Sequence, residues 1–539
     1  MPTLDRTRIL FVVIIAVAVL AVGAIVVVNL IQGLVEGDEP TPEPVVQPGR
    51  PTPSANLESP DPIFGPDYAE NGDLPTYICG ADAFGSYLTL QQMQMAGLDV
   101  ANGFNLGIVP FLLDDDPAYD ISEEQRNALL ASGQWDCLLT TLDAVALDAP
   151  GVITAIVDES AGADQLWARD IDTINELRGK RITFARGSVG EYFVHYVLSI
   201  AQLNPRSQVT LVPADSVAEA VAVFNNRQAD AVAGWEPDIY EAEASGGTPL
   251  LSSNQLRIVI DVIVTSREAI DEHADLVQDF HNAWFATLKA QFEDFDNAAS
   301  QIAAWGHNDW SFVYPETASD DLRAWLENVA QADLSDNATV MRDTRPIINR
   351  LEIARRVWAA ADLSAADEEA ANLVNAGFVN RAAQQAALAS TGEPVNNTFS
   401  IGANIDLSTV GSEDAATLAV LPCRSFTFLP DSTELTIESR RILDSCVVPT
   451  MSQSVGLLLE VKGSSAWPAN DPPYTEDEIL EFAEARAQSV VDYLVSQGID
   501  PARFIVTETL PPEDHRETDD PAIQAQDRYV EMTLVTTGR

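Results

Sequence analysis

Hydrophobic residues are arranged along this chain in two different ways. Near the N-terminus, Ile9 to Val35 form one uncharged, largely apolar run, with two arginines shortly before it and three acidic residues shortly after it. As a helix, a run of this length covers roughly 40 Å, enough to cross a hydrocarbon core of about 30 Å. Beyond it, short apolar runs alternate with segments in which apolar residues recur every three or four positions. The pattern predicts a membrane span followed by α/β domains.

The span is interpreted as an uncleaved anchor rather than a removed signal peptide. It is longer than the ~7–15 residue apolar core of a signal peptide, and no A-x-A-like site closes it. Arg6 and Arg8 precede the span and only acidic residues follow it closely. The positive-inside rule therefore places the N-terminus in the cytoplasm and the bulk of the chain outside the cell membrane.

Strand-like and helical patterns alternate through the first large domain, which is typical of βαβ units. Predicted strands are Thr76–Cys79, Leu106–Val109, Trp135–Leu139, Gly151–Val157, Arg181–Ala185, Gln208–Val212, Ala229–Ala233 and Val259–Thr265. Predicted helices are Gly85–Ala96, Leu142–Asp148, Glu191–Ala201, Val217–Asn225 and Leu276–Phe295. From Phe295 to Ala389 the pattern is almost wholly helical, with Trp305, Trp310, Trp325 and Trp358 as predicted core residues.

A second α/β domain follows and restarts the mixture of strands and helices. It is predicted to contain strands Arg424–Phe428, Gly456–Lys462, Phe504–Thr509 and Tyr529–Thr536 and helices Glu434–Pro449 and Thr475–Gln497. The whole chain then divides into an anchor with its cytoplasmic tip (1–36), a Pro-rich linker (37–72), the first domain (73–389), a second linker (390–415) and the last domain (416–539). The proline repeats of the first linker favour an extended spacer.

Charge excludes one class of function. The chain carries 82 acidic and 30 basic residues, for a net charge of −52. Such a field repels phosphate backbones, so nucleic-acid binding is not expected. The acidity is interpreted as a solubility device, with a specific cation-binding role as the alternative.

The cysteines fall as two pairs, Cys79 with Cys137 and Cys423 with Cys446, one in each domain. Outside the cell membrane the environment permits disulfides, and neither pair has the short spacing of a zinc site. Two structural disulfides are predicted, and buried free thiols are the alternative.

No set of residues points to catalysis. The five histidines show no metal-ligand spacing on one helix, and neither a nucleophile elbow nor a phosphate-binding loop is present. We therefore expect no enzymatic activity, no cofactor and no metal.

Three turns between a predicted strand and the segment after it are candidates for ligand contact, because ligands of α/β sheets sit beyond the carboxyl ends of the strands. Arg186–Gly190 has exposed amides at a helix start that could receive an anionic or polar group, or it could merely cap the helix. Thr140–Asp143 could likewise bind or cap. Gly234–Asp238 places Trp235 beside carboxylates, where it could wall a pocket or pack in the core.

In their order, these turns resemble the extracytoplasmic solute-binding proteins of ABC importers, in the branch for nitrate, taurine, sulfonates and thiamine precursors. The resemblance covers roughly Leu74 to Ala389. The matching stretches are TYICGADAFGSYLTLQQMQMAGLD, DAVAL, INELRGKRITFARGSVGEYFVHYVL and ADSVAEAVAVFNNRQADAVAGWEPDIYEAEASGG. The resemblance implies a two-lobed periplasmic-binding-protein type II fold that closes on a small solute without chemistry.

The same resemblance implies the ligand-binding residues. They are Asp82, Phe84, Thr140, Thr141, Gly187, Ser188, Val189, Trp235, Glu236 and Asp238. The sequence departs from an anion receptor in one respect, because Glu191, Glu236 and Asp238 crowd the expected pocket while Arg186 is its only nearby base. A neutral or cationic heterocycle is therefore a better expected solute than nitrate or a sulfonate.

The last domain resembles the OmpA-like peptidoglycan-binding domain, an α/β sandwich. The matching stretches are FTFLPDSTELTIESRRILDSCV, LLLEVKGSSA, EARAQSVVDYLVSQGIDPARF and DRYVEMTLV. In that family an aspartate and an arginine grip the zwitterionic wall peptide. The arginine corresponds to Arg486 and a second family arginine to Arg528, but Gly463-Ser464-Ser465-Ala466 stands where the aspartate is expected. Wall binding and a purely structural or protein-binding use of the fold both stay open.

Taken together, the sequence predicts a membrane-anchored receptor that binds a small solute and delivers it to the permease of an ABC importer. The terminal domain would reach toward peptidoglycan. The alternative is an envelope-organising or sensor protein that is anchored to the wall and has no role in transport.

Overall fold

Three β-sheets with flanking helices make up the part of the chain that the computed structural model describes. This part is residues 57–537 without 67, 69–71, 112, 114–115, 364–366, 391, 393–398, 400–414, 455–456 and 471. The predicted anchor Ile9–Val35, most of the Pro-rich linker and most of the second linker lie outside the described residues. Within the described range, no helix is long and apolar enough to span a bilayer.

The first sheet has the strand order β11-β4-β10-β3-β1-β2. Its strands are β1 Thr76–Ala81, β2 Asn105–Pro110, β3 Cys137–Thr141, β4 Val152–Ser160, β10 Ile260–Thr265 and β11 Val329–Gln331. β1, β2 and β3 run parallel, whereas β10 pairs antiparallel with both β3 and β4. Buried apolar side chains on both faces explain the near-continuous hydrophobic runs from which the central strands were predicted.

The second sheet has the order β7-β6-β8-β5-β9. Its strands are β5 Asp164–Ala168, β6 Arg181–Ala185, β7 Thr210–Ala214, β8 Ala231–Trp235 and β9 Thr248–Ser252. The sequence predicted β6 at its observed bounds and β7 and β8 with a shift of about two residues. It missed β5 and β9, which pair antiparallel at one side of the sheet, and also the three-residue β11.

The chain passes twice between the two sheets, so they form two lobes joined by a hinge. Residues 161–163 lead from β4 to β5, and residues 253–259 lead from β9 back to β10. Ser160 Oγ and Ser253 Oγ are 2.7 Å apart, and Ser253 Oγ also accepts from the Gly162 amide at 2.9 Å. Beside them, Arg257 forms a buried ion pair with Glu159, with a distance of 3.2 Å from Nη1 to Oε2. The hinge is therefore held by polar side chains rather than by a continuous strand ladder.

Helices surround the two lobes. They are α1 Thr89–Ala96, α2 Leu98–Ala101, α3 Glu123–Ala131, α4 Leu142–Asp148, α5 Val189–Ile200, α6 Val217–Asn225, α7 Ser253–Leu256, α8 Arg267–Glu272, α9 Ala274–Glu293, α10 Phe295–Ala304, α11 Asn308–Ser311, α12 Ala318–Leu326, α13 Leu334–Arg342, α14 Arg345–Ala360 and α15 Gly377–Ala382. The four tryptophans predicted as core residues are all buried. Each indole N–H finds an acceptor, as buried tryptophan requires.

The third sheet belongs to the C-terminal domain and has the order β12-β15-β13-β14. Its strands are β12 Ala415–Thr427, β13 Leu458–Ser464, β14 Phe504–Thr509 and β15 Tyr529–Thr537, and its helices are α16 Ile437–Ile442, α17 Val448–Gln453, α18 Glu476–Ser496 and α19 Pro521–Asp527. The predicted helix Glu434–Pro449 starts later and contains a π-helical segment, Leu443–Val447. Strand β12 begins nine residues before the prediction.

Disulfide bonds join Cys79 to Cys137 and Cys423 to Cys446. The first links neighbouring parallel strands, since Cys79 and Cys137 are register partners of β1 and β3, with Cα atoms 4.6 Å apart. The second links β12 to the π-helical segment. Each bond therefore ties elements of a single domain.

Candidate solute-binding cleft

A cleft lies between the two lobes. The loops beyond the carboxyl ends of β1 and β3 reach it from the first lobe, and those beyond β6 and β8 reach it from the second. Its lining residues are Asp82, Phe84, Tyr87, Phe111, Glu123, Arg126, Asn127, Leu138, Leu139, Thr140, Thr141, Asp164, Ser188, Val189, Trp235, Val259 and Asp261. Apolar walls with a few convergent polar groups are typical of a small-molecule site.

Seven of the ten predicted ligand residues line this cleft, and three do not. Those present are Asp82, Phe84, Thr140, Thr141, Ser188, Val189 and Trp235. Gly187, Glu236 and Asp238 lie outside the lining. That the seven contact a solute stays a prediction, but the structure brings them to one place.

The backbone amide of Gly187 is bonded within the protein and is not open to the cleft. Gly187 has φ +73°, a conformation that favours glycine. Its amide donates to Glu191 Oε2 at 2.7 Å, so the protein's own carboxylate occupies this donor. Ser188 Oγ accepts from the Gly190 amide and donates to the Ala185 carbonyl, which is helix capping. The sequence left ligand binding and helix capping open for this turn, and the Ser188 hydroxyl caps the helix.

The turn at the start of α4 is fixed from behind. Thr141 is the N-cap residue, yet its hydroxyl makes no capping bond to a backbone amide. It instead hydrogen-bonds the carboxyl of Asp143. Burial raises the pKa of Asp143, this hydrogen bond lowers it by less, and the net result is a pKa of about 7. Trp358 Nε1 donates to the Asp143 carbonyl at 3.0 Å. A tryptophan of α14 therefore positions the edge of the cleft formed by Thr140 and Thr141.

Trp235, at the end of β8, is partly buried and faces the cleft, opposite Asp164 in the β5–β8 register. The next residue, Glu236, points elsewhere. Its Oε2 accepts from the Tyr240 hydroxyl at 2.5 Å and from Asn328 Nδ2 at 3.0 Å, and burial raises its pKa. Glu236 thus bridges to the segment before β11 and does not crowd the cleft, contrary to our expectation.

Asp238 is partly buried and stands outside the lining. Burial, together with the charges of Glu241 and Asp82, raises its pKa, so its carboxyl lies within electrostatic reach of a residue that does line the cleft. The basic residue expected near the cleft was also the wrong one. Arg186 is exposed and is not part of the lining, whereas Arg126 of α3 is.

The most polar part of the cleft was not predicted. Asp164, the first residue of β5, and Asp261, near the start of β10, are 3% and 2% exposed and both line the cleft. Asp158 of β4 is fully buried and is the register partner of Asp261. Burial raises the pKa of all three, and the negative charges of neighbouring carboxyls raise it further. The Tyr87 hydroxyl donates to Asp261 Oδ1.

In the C-terminal domain, the predicted wall-binding arginine is buried. Arg486 is 1% exposed, its Nε donates to the Ser432 carbonyl at 3.1 Å and its Nη1 to the Ser464 carbonyl at 3.0 Å. The guanidinium lies 5.3 and 4.8 Å from the ring centroids of Phe428 and Phe482. Burial, together with repulsion from a second arginine, lowers its pKa to about 10.

That second arginine is Arg528, so the structure does bring the two predicted residues together. Arg528 is partly buried, and its Nε has no hydrogen-bond partner among the described residues. Asp431 acts in the opposite direction on the pKa of Arg486 and raises it. In the segment Ser464–Ala466, where the OmpA-like resemblance predicts an aspartate, the Ser464 carbonyl accepts from Arg486. Across the described ranges, no cluster of histidine, cysteine and acidic residues is suited to hold a metal ion.

Residues 151–298 match the model of a family described as NMT1/THI5 like. The matched segment holds β4, the whole second lobe, β10 and α9. The observed topology confirms the prediction of two α/β lobes. That they bind a solute stays a prediction. The OmpA-like assignment of residues 416–539 stays a prediction. No curated protein sequence is significantly similar to the chain.

Several solved structures align with the chain at low identity. One is the alkanesulfonate-binding protein SsuA from Xanthomonas axonopodis pv. citri, with 18% identity, a TM-score of 0.42, and 56% of this chain and 98% of that chain covered. The periplasmic aliphatic sulphonate-binding protein SsuA from Escherichia coli has 13% identity, a TM-score of 0.42 and coverages of 56% and 92%. The nitrate-binding protein NrtA from Synechocystis PCC 6803 has 12% identity, a TM-score of 0.43 and coverages of 58% and 89%.

Proposed function

We propose that this protein is an extracytoplasmic solute-binding protein that delivers a small organic solute to an ABC importer. The observation that carries the proposal is the cleft between the lobes, which collects polar and aromatic side chains from the ends of β1, β3 and β8 and the start of α5. Among the described residues, two short chain segments cross between the lobes, at 161–163 and 253–259, and such crossings suit closure around a solute. The NMT1/THI5-like match in residues 151–298 supports the same class of function.

The solute that we propose is neutral or cationic. The aligned proteins named above bind sulfonates or nitrate, but four carboxyl-bearing side chains and a single arginine line the cleft of this chain. An anion in this cleft would meet like charges in a partly buried site, which is unfavourable. Binding involves no bond making or breaking, so we propose no enzymatic activity.

The test is ligand recovery from the full chain purified in detergent. A metabolite carried through purification is identified by mass spectrometry, and the emptied protein is then titrated with it in a thermal unfolding assay. At about one hundred times its Kd, a ligand adds about 2.7 kcal/mol of stability. Trp235→Ala should weaken this stabilisation and an Asp271→Asn control, on the exposed face of α8, should not. A protein that carries no metabolite and is stabilised by no member of a broad solute panel would contradict the proposal.

We further propose that the Ile9–Val35 run anchors the chain in the cytoplasmic membrane, with the N-terminus inside. A tether of this kind would keep the receptor near its permease at high effective concentration. Protease added outside intact spheroplasts should then digest residues 57–537 and leave the N-terminal tip protected. Release of the whole chain from membranes by alkaline carbonate would refute the anchor.

For the C-terminal domain we propose contact with peptidoglycan at the partly buried Arg528. Arg486, the other predicted residue, is buried beside it, close enough for the two charges to repel each other. Co-sedimentation of the full chain with purified sacculi tests this, with Arg528→Ala as the informative variant because Arg486 is fully buried and also supports the fold. We expect less pelleting of the variant at unchanged circular dichroism. Equal pelleting would favour the alternative, an envelope-organising or sensor role that uses this domain for a protein contact.

A further inference from the structure

The charges that line the cleft are unevenly matched. Four carboxyl groups line it, Asp82, Glu123, Asp164 and Asp261, against the single guanidinium of Arg126. Arg126 is already engaged, since its guanidinium carbon lies 3.9 Å from the centroid of the Phe111 ring and its Nε donates to the Ile121 carbonyl at 2.8 Å. Among the residues that line the cleft, acidic groups therefore outnumber basic groups four to one.

Asp261 in particular lacks a complete set of donors. It is 2% exposed and lines the cleft, and the Tyr87 hydroxyl binds its Oδ1. Its carboxyl also hydrogen-bonds that of Asp158, its register partner, so one proton lies between the two acidic groups. Its Oδ2 accepts no hydrogen bond from an N–H group of the described residues. A buried carboxyl oxygen without a donor is costly, and a cationic N–H group in the cleft would remove that cost.

Asp164 faces the same space from the other lobe. It is 3% exposed, and its amide donates to Ser160 Oγ at 3.4 Å and to Ser253 Oγ at 3.3 Å. The Ser160 side chain also hydrogen-bonds its carboxyl. Because β5 and β8 pair antiparallel, Asp164 stands opposite Trp235. One carboxyl from each lobe therefore lines the cleft, within electrostatic reach of the other and beside an aromatic wall.

The walls suit a flat apolar body next to a positive charge. Phe84 and Tyr87 form an edge-to-face pair with ring centroids 5.4 Å apart, and Phe111 and Trp235 also line the cleft. Aromatic faces attract cations, and more strongly where water is excluded. At the turn where an anionic group could have been received, the Gly187 amide is already bonded to Glu191.

We propose, on the basis of the solute-binding function above, that the cleft holds an organic cation whose N–H groups donate to Asp164 and Asp261 and whose apolar body packs against the aromatic side chains. Asp164 and Asp261 are then the residues that set specificity, one on each lobe. A cation between them draws the two lobes together, so that the charge of the solute contributes to closure as well as to binding.

Three compounds of one shape test this proposal: benzamidinium, benzamide and benzoate, which share a phenyl ring and a planar head group and are positive, neutral and negative. Binding to the emptied full chain is measured by isothermal titration calorimetry near neutral pH. We expect benzamidinium to bind roughly tenfold or more tightly than benzamide, and benzoate not to bind detectably. Asp164→Asn and Asp261→Asn, which preserve shape, should remove this preference, whereas the exposed Asp271→Asn should keep it.

Each other outcome overturns the inference. Equal or tighter binding of benzamide or benzoate, if lost in Trp235→Ala, would leave solute binding in place and show that the cleft does not select cations. An undiminished preference in both aspartate variants would remove Asp164 and Asp261 from the specificity site. Failure of benzamidinium to bind would also refute the cation class, while the recovered metabolite decides independently whether the protein is a solute receptor.

Discussion

Replacing Asp143 by asparagine should stabilise this protein at neutral and alkaline pH. Asp143 lies in the first turn of α4, is 3% exposed, and its Oδ1 has no hydrogen-bond partner among the described residues. Burial raises its pKa to about 7, so the folded chain holds a proton that the unfolded chain releases near pH 4. Asparagine has the same shape and does not ionise.

The magnitude follows from linkage. A pKa raised on folding contributes stability that is fully present below the unfolded value and is lost as pH rises through the folded value. Between the ordinary value of 3.8 and about 7, the loss amounts to about 4 kcal/mol. Asp143→Asn should match the parent near pH 4 and exceed its stability by up to ~4 kcal/mol above pH 7. The charge of Asp143 also raises the pKa of Asp164 and Asp261. Removing that charge therefore lowers both pKa values and should stabilise the folded protein further at the same pH.

The assay is thermal unfolding of the full chain across this pH range, for the parent, Asp143→Asn and the exposed control Asp271→Asn. The informative quantity is the difference between variants at each pH, because the parent contains other buried carboxyls that titrate in the same window. A variant that follows the parent curve at all pH values, or that is less stable above pH 7, would show that Asp143 is ionised and well solvated in the folded protein.

Three further changes have defined expected outcomes. Burial lowers the pKa of His281 to about 4, so its contribution to stability is lost as pH falls from about 6.5 toward 4. His281→Gln should remove this part of the pH dependence of the melting temperature, an effect of about 3 kcal/mol on the free energy of unfolding. Gly162→Ala should destabilise the hinge by about 1–3 kcal/mol, because φ is +143° and a Cβ atom would meet Asn328 Oδ1 at 2.8 Å; an unchanged melting temperature would contradict this. Asn175→Ala removes both hydrogen bonds to the backbone of Val420, at 2.8 and 3.1 Å, and should speed proteolytic release of the C-terminal domain; equal digestion rates would show that other contacts dominate.

Sequence patterns predicted the loops that line the cleft but not its buried carboxyls, Asp164 and Asp261. Thr140, Ser188 and Trp235 lie at or just beyond the carboxyl ends of β3, β6 and β8, where a ligand of an α/β sheet is expected, so their place can be deduced from the order of strands and helices. Asp261 and Asp158 meet only because β10 pairs with β4, about one hundred residues away in the chain. Without the register of that pairing, single carboxylates in so acidic a chain carry no signal.

The prediction for β4 ended too early, at the hinge, for a related reason. The strand pattern ends at Val157, and the Asp158-Glu159-Ser160 that follows is typical of a turn. In the structure β4 continues through Ser160 with all nine residues buried. The polar triplet lies where the chain leaves one sheet, and side chains such as Ser160 serve as hydrogen-bond partners at the crossing. Burial of polar residues is a tertiary property that local periodicity does not encode.

One helix takes part in both halves of the proposed function. α5 begins at Val189, which lines the cleft, and its 12 residues carry the chain about 18 Å toward the C-terminal domain. Near its far end the Tyr196 hydroxyl lies 2.8 Å from Ser454 Oγ, and just beyond it Gln202 Nε2 donates to Cys446 Sγ at 3.3 Å. The C-terminal domain is therefore docked on the lobe that carries the Gly187–Val189 turn. Because a helix of this length is stiff, the proposed contact with the wall and the proposed closure on a solute would share a single structural element.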